Sequence, residues 1–302
     1  MTLQSSPEVH ISPQTLLPPA LRAWEIYLRD QGRSSNTIKA FMGDLQLLAD
    51  FLPPDQSIGS VTTRDLNHFL QWLQNGRGVP CSPKSLARRI TSVKAFFRWL
   101  QKHGRITTDP AEKVLQQSVI SPLPEVLTAE EQQKLIQAAL GMRQARKPDA
   151  RPYALLTLLL STGIKKGECL NLSINHIDLE APNGPVVFIR YAGSQNRYKE
   201  RRIDLTADWI ESYHEYMAQY TPRDQVFPWS PRRLEYLLED LGTEAGLVKH
   251  VSFDMCRWTC ALNDYQSGMQ PDAIRQKLGI SKIQWREIGL KLRKLAGDIT
   301  ES

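Results

Sequence analysis

Between Arg77 and Arg105 the chain carries eight cations (Arg77, Lys84, Arg88, Arg89, Lys94, Arg98, Lys102 and Arg105) and no acid. Through the same stretch Leu86, Ile90, Val93, Phe97 and Leu100 recur at three- and four-residue spacing. That period marks one face of an α-helix, with Ser82 placed to cap its start and Pro83 at its first position. A segment patterned in this way must bury one side and show the other, and the side it shows is basic. Solvated helix faces ordinarily mix signs, because Glu and Lys four apart support each other. A face without acids repels itself and suits an external polyanion, most often nucleic acid, whose phosphates release counterions on contact. An incidental arginine-rich surface is the competing reading on charge alone. The whole chain has a net charge of only +6 over 302 residues, so this one segment exceeds the excess of the entire protein.

At 41% hydrophobic and 23% charged the composition is that of a globular protein and excludes a disordered or fibrous chain. Its length predicts about two domains. The longest apolar run, Tyr153 to Leu160, is too short to cross a bilayer. The N-terminal Met-Thr-Leu-Gln-Ser-Ser-Pro has no signal-peptide pattern, and the expected location is cytoplasmic, at the nucleoid when DNA is bound. Cys81 and Cys169 stand apart, and Cys256 and Cys260 are one helical turn apart without a paired ligand cluster. They are read as reduced structural thiols, with no metal site and no cofactor expected.

The expected fold is mainly α. Residues 1–16 are Ser/Pro-rich and read as a flexible arm. Residues 17–110 read as a four-helix bundle: Leu17 to Asp30, a second helix capped by Ser34 and Ser35, a third capped by Thr63, and the basic helix. Trp24, Trp72 and Trp99 sit at helical positions and read as core. Residues 111–126 read as a connector, with Ser121-Pro122-Leu123-Pro124 extended. From 127 to 302 the pattern is again helical, beginning with a capping box at Thr128 and Glu131. Arg143 to Arg151 reads as a basic loop, and Gly163 interrupts an apolar helix. Val186 to Tyr191 and Arg201 to Leu205 read as two strands around a turn at Gly193-Ser194-Gln195-Asn196, giving a small antiparallel sheet.

These segments resemble, in order, those of the tyrosine recombinases of the phage integrase family. Ser34-Ser35-Asn36-Thr37 and Ser92-Val-Lys-Ala-Phe-Phe-Arg-Trp-Leu, with Asp109-Pro110 after them, are similar to the family's N-terminal core-binding (SAM-like) bundle. Leu123-Pro-Glu-Val-Leu-Thr-Ala-Glu-Glu resembles the entry to its catalytic domain. Ser161-Thr-Gly-Ile-Lys-Lys-Gly-Glu-Cys-Leu resembles the segment of its first arginine, residues 186–205 its lysine-bearing hairpin, and Phe253-Asp-Met-Cys-Arg-Trp-Thr the segment of its second arginine. The resemblance implies a clamp on duplex DNA. It also implies a chemistry in which a tyrosine attacks the scissile phosphate, two arginines steady the phosphorane, and a lysine and histidines move protons.

Carried onto this chain, the resemblance keeps Arg257 and the supporting Glu168. Lys165 stands in place of the first arginine; it keeps the charge and loses the planar fork. Ser194 takes the usual lysine position, and Lys199 can replace it only if the longer turn folds back. Asp254 replaces a histidine, Trp258 follows Arg257, and Ile280, which cannot donate a hydrogen bond, replaces a late histidine or tryptophan. The nucleophile falls at Gly289, and no tyrosine occurs after Tyr265. Arg257 has structural alternatives in a pair with Glu168 or Asp254, and Tyr265 reads as a packing residue.

The expectation is therefore a double-stranded DNA-binding protein that does not cleave. Its expected contacts are Lys84, Arg88, Arg89, Lys94, Arg98 and Lys102 on the basic helix, and Arg190, Arg197, Arg201 and Arg202 on the hairpin. Arg88 and Arg89 are each expected to meet a phosphate. Two other classes stay open: a recombinase or integrase using a displaced or borrowed nucleophile, and a protein that binds a homologous recombinase and modulates it without DNA. A second copy of the chain or a homologous recombinase is the expected protein partner, with no membrane partner.

Overall fold

Short polar caps divide the chain into helices. The computed structural model describes residues 11–79, 81–115 and 122–298. It separates into two compact units, residues 1–121 and 122–302. In the first, α1 (Leu17–Asp30), α2 (Ser35–Phe51), α3 (Thr63–Gln71) and α4 (Pro83–Lys102) form a bundle. The Ser34 and Ser82 hydroxyls accept the Thr37 and Ser85 N–H groups, satisfying donors that a helix start leaves orphaned. The cap of α3 is Thr62 rather than Thr63: its hydroxyl and the Asp65 carboxylate exchange backbone N–H groups in a capping box. A single wide turn, Trp72–Gly76, follows α3.

The bundle core holds Trp24, Leu45, Leu48, Phe69, Phe96 and Phe97, all fully buried. Trp24 stacks on Phe41 at 5.6 Å and meets the edge of Phe96 at 5.4 Å, and Trp72 and Trp99 pack against the same core. The expected arm is partly structured. Ile11 is buried in the bundle, and the Pro13 and Thr15 carbonyls accept the Gly59 and Ile58 N–H groups. Burial of Ile11 and these backbone hydrogen bonds lay residues 11–16 on the bundle. Residues 1–10 of that arm lie outside the described residues. At the other end, Ala111 and Val114 also enter this core, so the expected connector begins as part of the bundle; its residues 116–121 lie outside the described residues.

The second unit is built around α6 (Arg151–Thr162), in which Ala154, Leu155, Leu156, Leu158 and Leu159 are fully buried. A helix apolar on all sides must be surrounded. Its neighbours are α5 (Ala129–Arg143), α8 (Ala207–Tyr220), α9 (Pro231–Glu244) and α10 (Phe253–Gln266). Thr128 and Glu131 form the capping box of α5. The expected basic loop is neutralised at both ends, Arg143 by Glu211 and Glu215, and Arg151 by Asp149. The short helix α7 (Lys166–Leu170) leads to an antiparallel sheet in the order β1 (Ile177–Asp178), β2 (Val186–Ile189), β3 (Arg201–Asp204). Val186 pairs with Asp204 and Ile189 with Arg201. Helices α11 (Pro271–Lys277) and α12 (Lys282–Leu295) close the unit. No described helix is long and apolar enough to cross a membrane.

Gly163 ends α6 in the left-handed region at φ +60°, and an added Cβ would stand 3.0 Å from Leu278 Cδ2 and 3.2 Å from Cys260 Sγ. Gly163→Ala should therefore destabilise the second unit by about 1–3 kcal/mol, read as a lower midpoint in urea unfolding followed by tryptophan fluorescence.

Candidate functional site

Gly163 ends α6 in the left-handed conformation, and Lys165, two residues on, caps the N-terminus of α7. One turn on, the buried Glu168 carboxylate accepts the Lys165 backbone N–H at 2.8 Å. It also accepts both terminal nitrogens of Arg201, at 2.9 and 2.8 Å, and the Tyr191 hydroxyl. Burial acts to raise the Glu168 pKa, but the Arg201 fork, the phenol and the amide together hold it at about 2. Arg201 in turn donates its Nε to the Lys277 carbonyl at 2.5 Å, joining β3 to the end of α11. The close approach of this guanidinium requires Gly279, at φ +59°, where a Cβ would come within 2.5 Å of Arg201 Nη1.

Arg257, on α10, is nearly buried and gives its guanidinium to two backbone carbonyls, those of Gly163 and of Leu278 at 2.6 Å. It forms no hydrogen bond or ion pair with Glu168 or Asp254 among the described residues, and Asp254 is exposed. Burial lowers its pKa, and it remains a cation at neutral pH. Lys165 is half-buried, and burial followed by repulsion from Arg257 pushes its ammonium down to about 8. Arg201 and Lys199 add to that repulsion. Lys165, Arg257, Arg201 and Lys199 thus crowd positive charge around one carboxylate.

The residues expected here fall into two groups. Lys165, Glu168, Lys199, Arg201 and Arg257 come together. Lys199 is carried by the folded turn Ser194–Lys199, its Nζ 2.8 Å from Asn196 Oδ1 and 5.2 Å from the Tyr198 ring centroid. Asp254 faces solvent, Trp258 and Ile280 pack into an apolar cluster with Leu278 and Leu292, and Gly289 lies on α12. An added Cβ at Gly289 would meet the Trp285 indole at 3.2 Å. Arg201 corrects an expectation, since its side chain is 7% exposed and committed to Glu168 rather than presented outward. Tyr191 was missed as a site residue; the expected strand ran through it, but β2 ends at Ile189, two residues earlier.

On the bundle, α4 presents Lys84, Arg88, Arg98 and Lys102 as exposed cations. Their spacing places them on one stripe about 27 Å long at 1.5 Å per residue. Arg89 departs from expectation. Its side chain is only 13% exposed, its Nε lies 3.6 Å from Asp44, and its Nη1 lies 2.8 Å from Cys81 Sγ. Lys94 is half-buried. On the hairpin, Arg190, Arg197 and Arg202 are exposed, with Arg202 3.3 Å from Asp204.

Glu168→Gln would leave the Arg201 fork without its carboxylate in a buried setting. It should destabilise the second unit by about 3–5 kcal/mol. Because the Glu168 pKa is lowered to about 2 on folding, its stabilisation is fully present above the ordinary value of about 4.3. It is lost as the pH falls through the folded value. Acid titration of urea stability should show a limb between those values that the Gln variant lacks.

A family model for the phage integrase family matches residues 125–287, and one for the N-terminal SAM-like domain of phage integrases matches residues 21–104. Tyrosine recombinase XerC of Oceanobacillus iheyensis is 31% identical over 278 residues, 86% of this chain and 86% of its own. Tyrosine recombinase XerD of Listeria innocua is 24% identical over 285 residues, 88% of this chain and 91% of its own. Among solved structures, a lambda integrase dimer bound to a COC′ core site aligns with a TM-score of 0.71 at 17% identity, covering 95% of this chain and 79% of that one. XerH recombinase in a post-cleavage complex with palindromic difH substrate gives 0.70 at 19% identity, covering 95% and 91%. The structural likeness shows a shared fold, an N-terminal SAM-like bundle and an integrase-type helical domain with its small sheet. With the family models and the XerC identity beside it, the chain belongs to the phage integrase family of tyrosine recombinases.

Proposed function

We propose that this chain is a duplex-DNA-binding member of its family that does not cleave strands by the tyrosine route. The observation that carries the second part is the emptiness of the nucleophile's place. Helix α12 offers Gly289 under the Trp285 indole, and no tyrosine follows Tyr265 in the chain. Tyr265 itself is eight residues past Arg257 on α10, about 12 Å along the axis, with its hydroxyl on Asp298 at 2.6 Å. Tyr191 lies among the cations, but burial and its hydrogen bond to Glu168 push its phenol pKa up, the wrong direction for a nucleophile.

The first part is supported by the α4 stripe and by the exposed hairpin arginines, each a set of cations without an acidic counterpart of equal number. Backbone phosphates satisfy such a set. The XerC and XerD relatives are recombinases by name, and the XerH and lambda integrase structures hold DNA. By extension this chain acts on DNA in the cytoplasm, beside a second copy or a homologous recombinase.

Binding to duplex DNA should fall steeply as salt rises. Arg98→Ala should flatten the log–log salt slope by about 0.9, whereas Arg89→Ala should leave the slope unchanged because its guanidinium is held inside the bundle. A salt-titrated gel-shift series measures both, and no shift at low salt would remove DNA from the proposal. A suicide duplex that traps covalent intermediates should yield no adduct with this protein; any adduct would restore cleavage.

A further inference from the structure

Asp44 is the one carboxylate buried in the bundle among the described residues, with 2% of its surface exposed. It projects from α2 toward the basic helix. Its Oδ2 accepts Arg88 Nη1 at 2.5 Å and the Ser92 hydroxyl at 2.7 Å, and its Oδ1 lies 3.6 Å from Arg89 Nε. Arg88 Nη1 also donates to the Ala40 carbonyl at 3.2 Å. Both contacts of Arg88 therefore use a single nitrogen. Its Nε and Nη2 make no hydrogen bond among the described residues, and the side chain is 44% exposed.

This geometry is unlike that of an arginine spent on a structural ion pair. Arg201 shows the alternative in the same chain: both terminal nitrogens lie on one carboxylate and the side chain is sealed from solvent. At Arg88 the carboxylate takes one corner of the fork and leaves the other edge open on the cationic stripe. A free arginine must lose several rotors to meet a phosphate, whereas one already fixed loses fewer. Asp44 does not cancel the local charge either, since two guanidinium groups face it.

We propose that Asp44 is a positioning residue for DNA binding, holding Arg88 by Nη1 so that its Nε–Nη2 edge meets a backbone phosphate. The proposal rests on the DNA-binding reading above and assigns it a residue of the unexpected sign. Charge alone predicts that removing an acid from beneath a DNA-facing surface tightens binding. Positioning predicts the opposite.

The test is the duplex affinity of the full chain at fixed salt, by fluorescence anisotropy, for Asp44→Asn, Arg88→Ala, Arg88→Lys and the double variant Asp44→Asn/Arg88→Ala. Asp44→Asn should bind about three- to tenfold more weakly than the parent, and on the Arg88→Ala background it should weaken binding no further. Arg88→Lys keeps the charge but lacks a second nitrogen, so it should bind nearly as weakly as Arg88→Ala. Ile90→Val, a buried change on α4 that removes neither a charge nor a hydrogen-bonding group, reports what loss of stability alone does; it should bind like the parent. Equal or tighter binding by Asp44→Asn, or an equal loss in the Arg88→Ala background, overturns the positioning role. If Asp44→Asn melts below the assay temperature, parent-like binding by Arg88→Lys overturns it instead. If the parent itself fails to bind at low salt, it is the DNA-binding reading that falls.

Discussion

A buried carboxylate organises the second unit. Glu168 collects an arginine fork, a phenol and a backbone amide. Through them it fastens α7 to β3 and to Tyr191, two residues past β2. Arg201 extends the tie to α11 through the Lys277 carbonyl. Removing either charge would strand the other in a low-dielectric interior, which is why such pairs are costly to break whatever their net contribution to stability. Arg257 repeats the device with neutral partners, linking α10 to the carbonyls at the ends of α6 and α11. Arg201 and Arg257 thereby act as struts of the second unit. That gives a physical reason for buried positive charge to be kept in this unit whatever chemistry it serves.

The same logic divides the basic residues of the whole protein. Arg201 and Arg89 are drawn inward by Glu168 and Asp44, and Arg143 and Arg151 are matched by acids on or near α8. Lys84, Arg98 and Lys102 have exposed side chains along one line of α4, with Arg88 half committed between the two roles. A count of cations along a segment overstates the field that a ligand meets, because each buried acid removes one of them from the surface. On α4, which carries six of the segment's eight cations, they reduce to a narrower and better defined stripe.

Much of the fold was legible because its signals are local. Ser34, Ser82 and Thr128 cap helices where polar residues precede apolar periodicity, and the Val186–Ile189 run pairs as a strand. Misreadings came where the signal was short or shared. Thr62 and Thr63 are both capable caps, and Asp65, three residues after Thr62, decides between them. Ile11 is one apolar residue in polar company, and β1 is too short to show a period. Strand alternation could have placed Arg201 on the face of buried Ile203 and Arg202 on the other. Asp44, on a helix and among mixed neighbours, carried no such mark.

What the sequence determined by itself was the order of helices, the hairpin between Val186 and Asp204, the acid-free basic segment and the lack of any tyrosine after Tyr265. Each depends on neighbours within a turn or two, or on composition alone. What only the tertiary structure decided was which cation answers to which acid: Arg201 to Glu168 across 33 residues and Arg88 to Asp44 across 44. Two arginines adjacent in sequence look equivalent on paper. They part company in the fold because a buried carboxylate must be compensated by whichever guanidinium the packing of helices brings within reach.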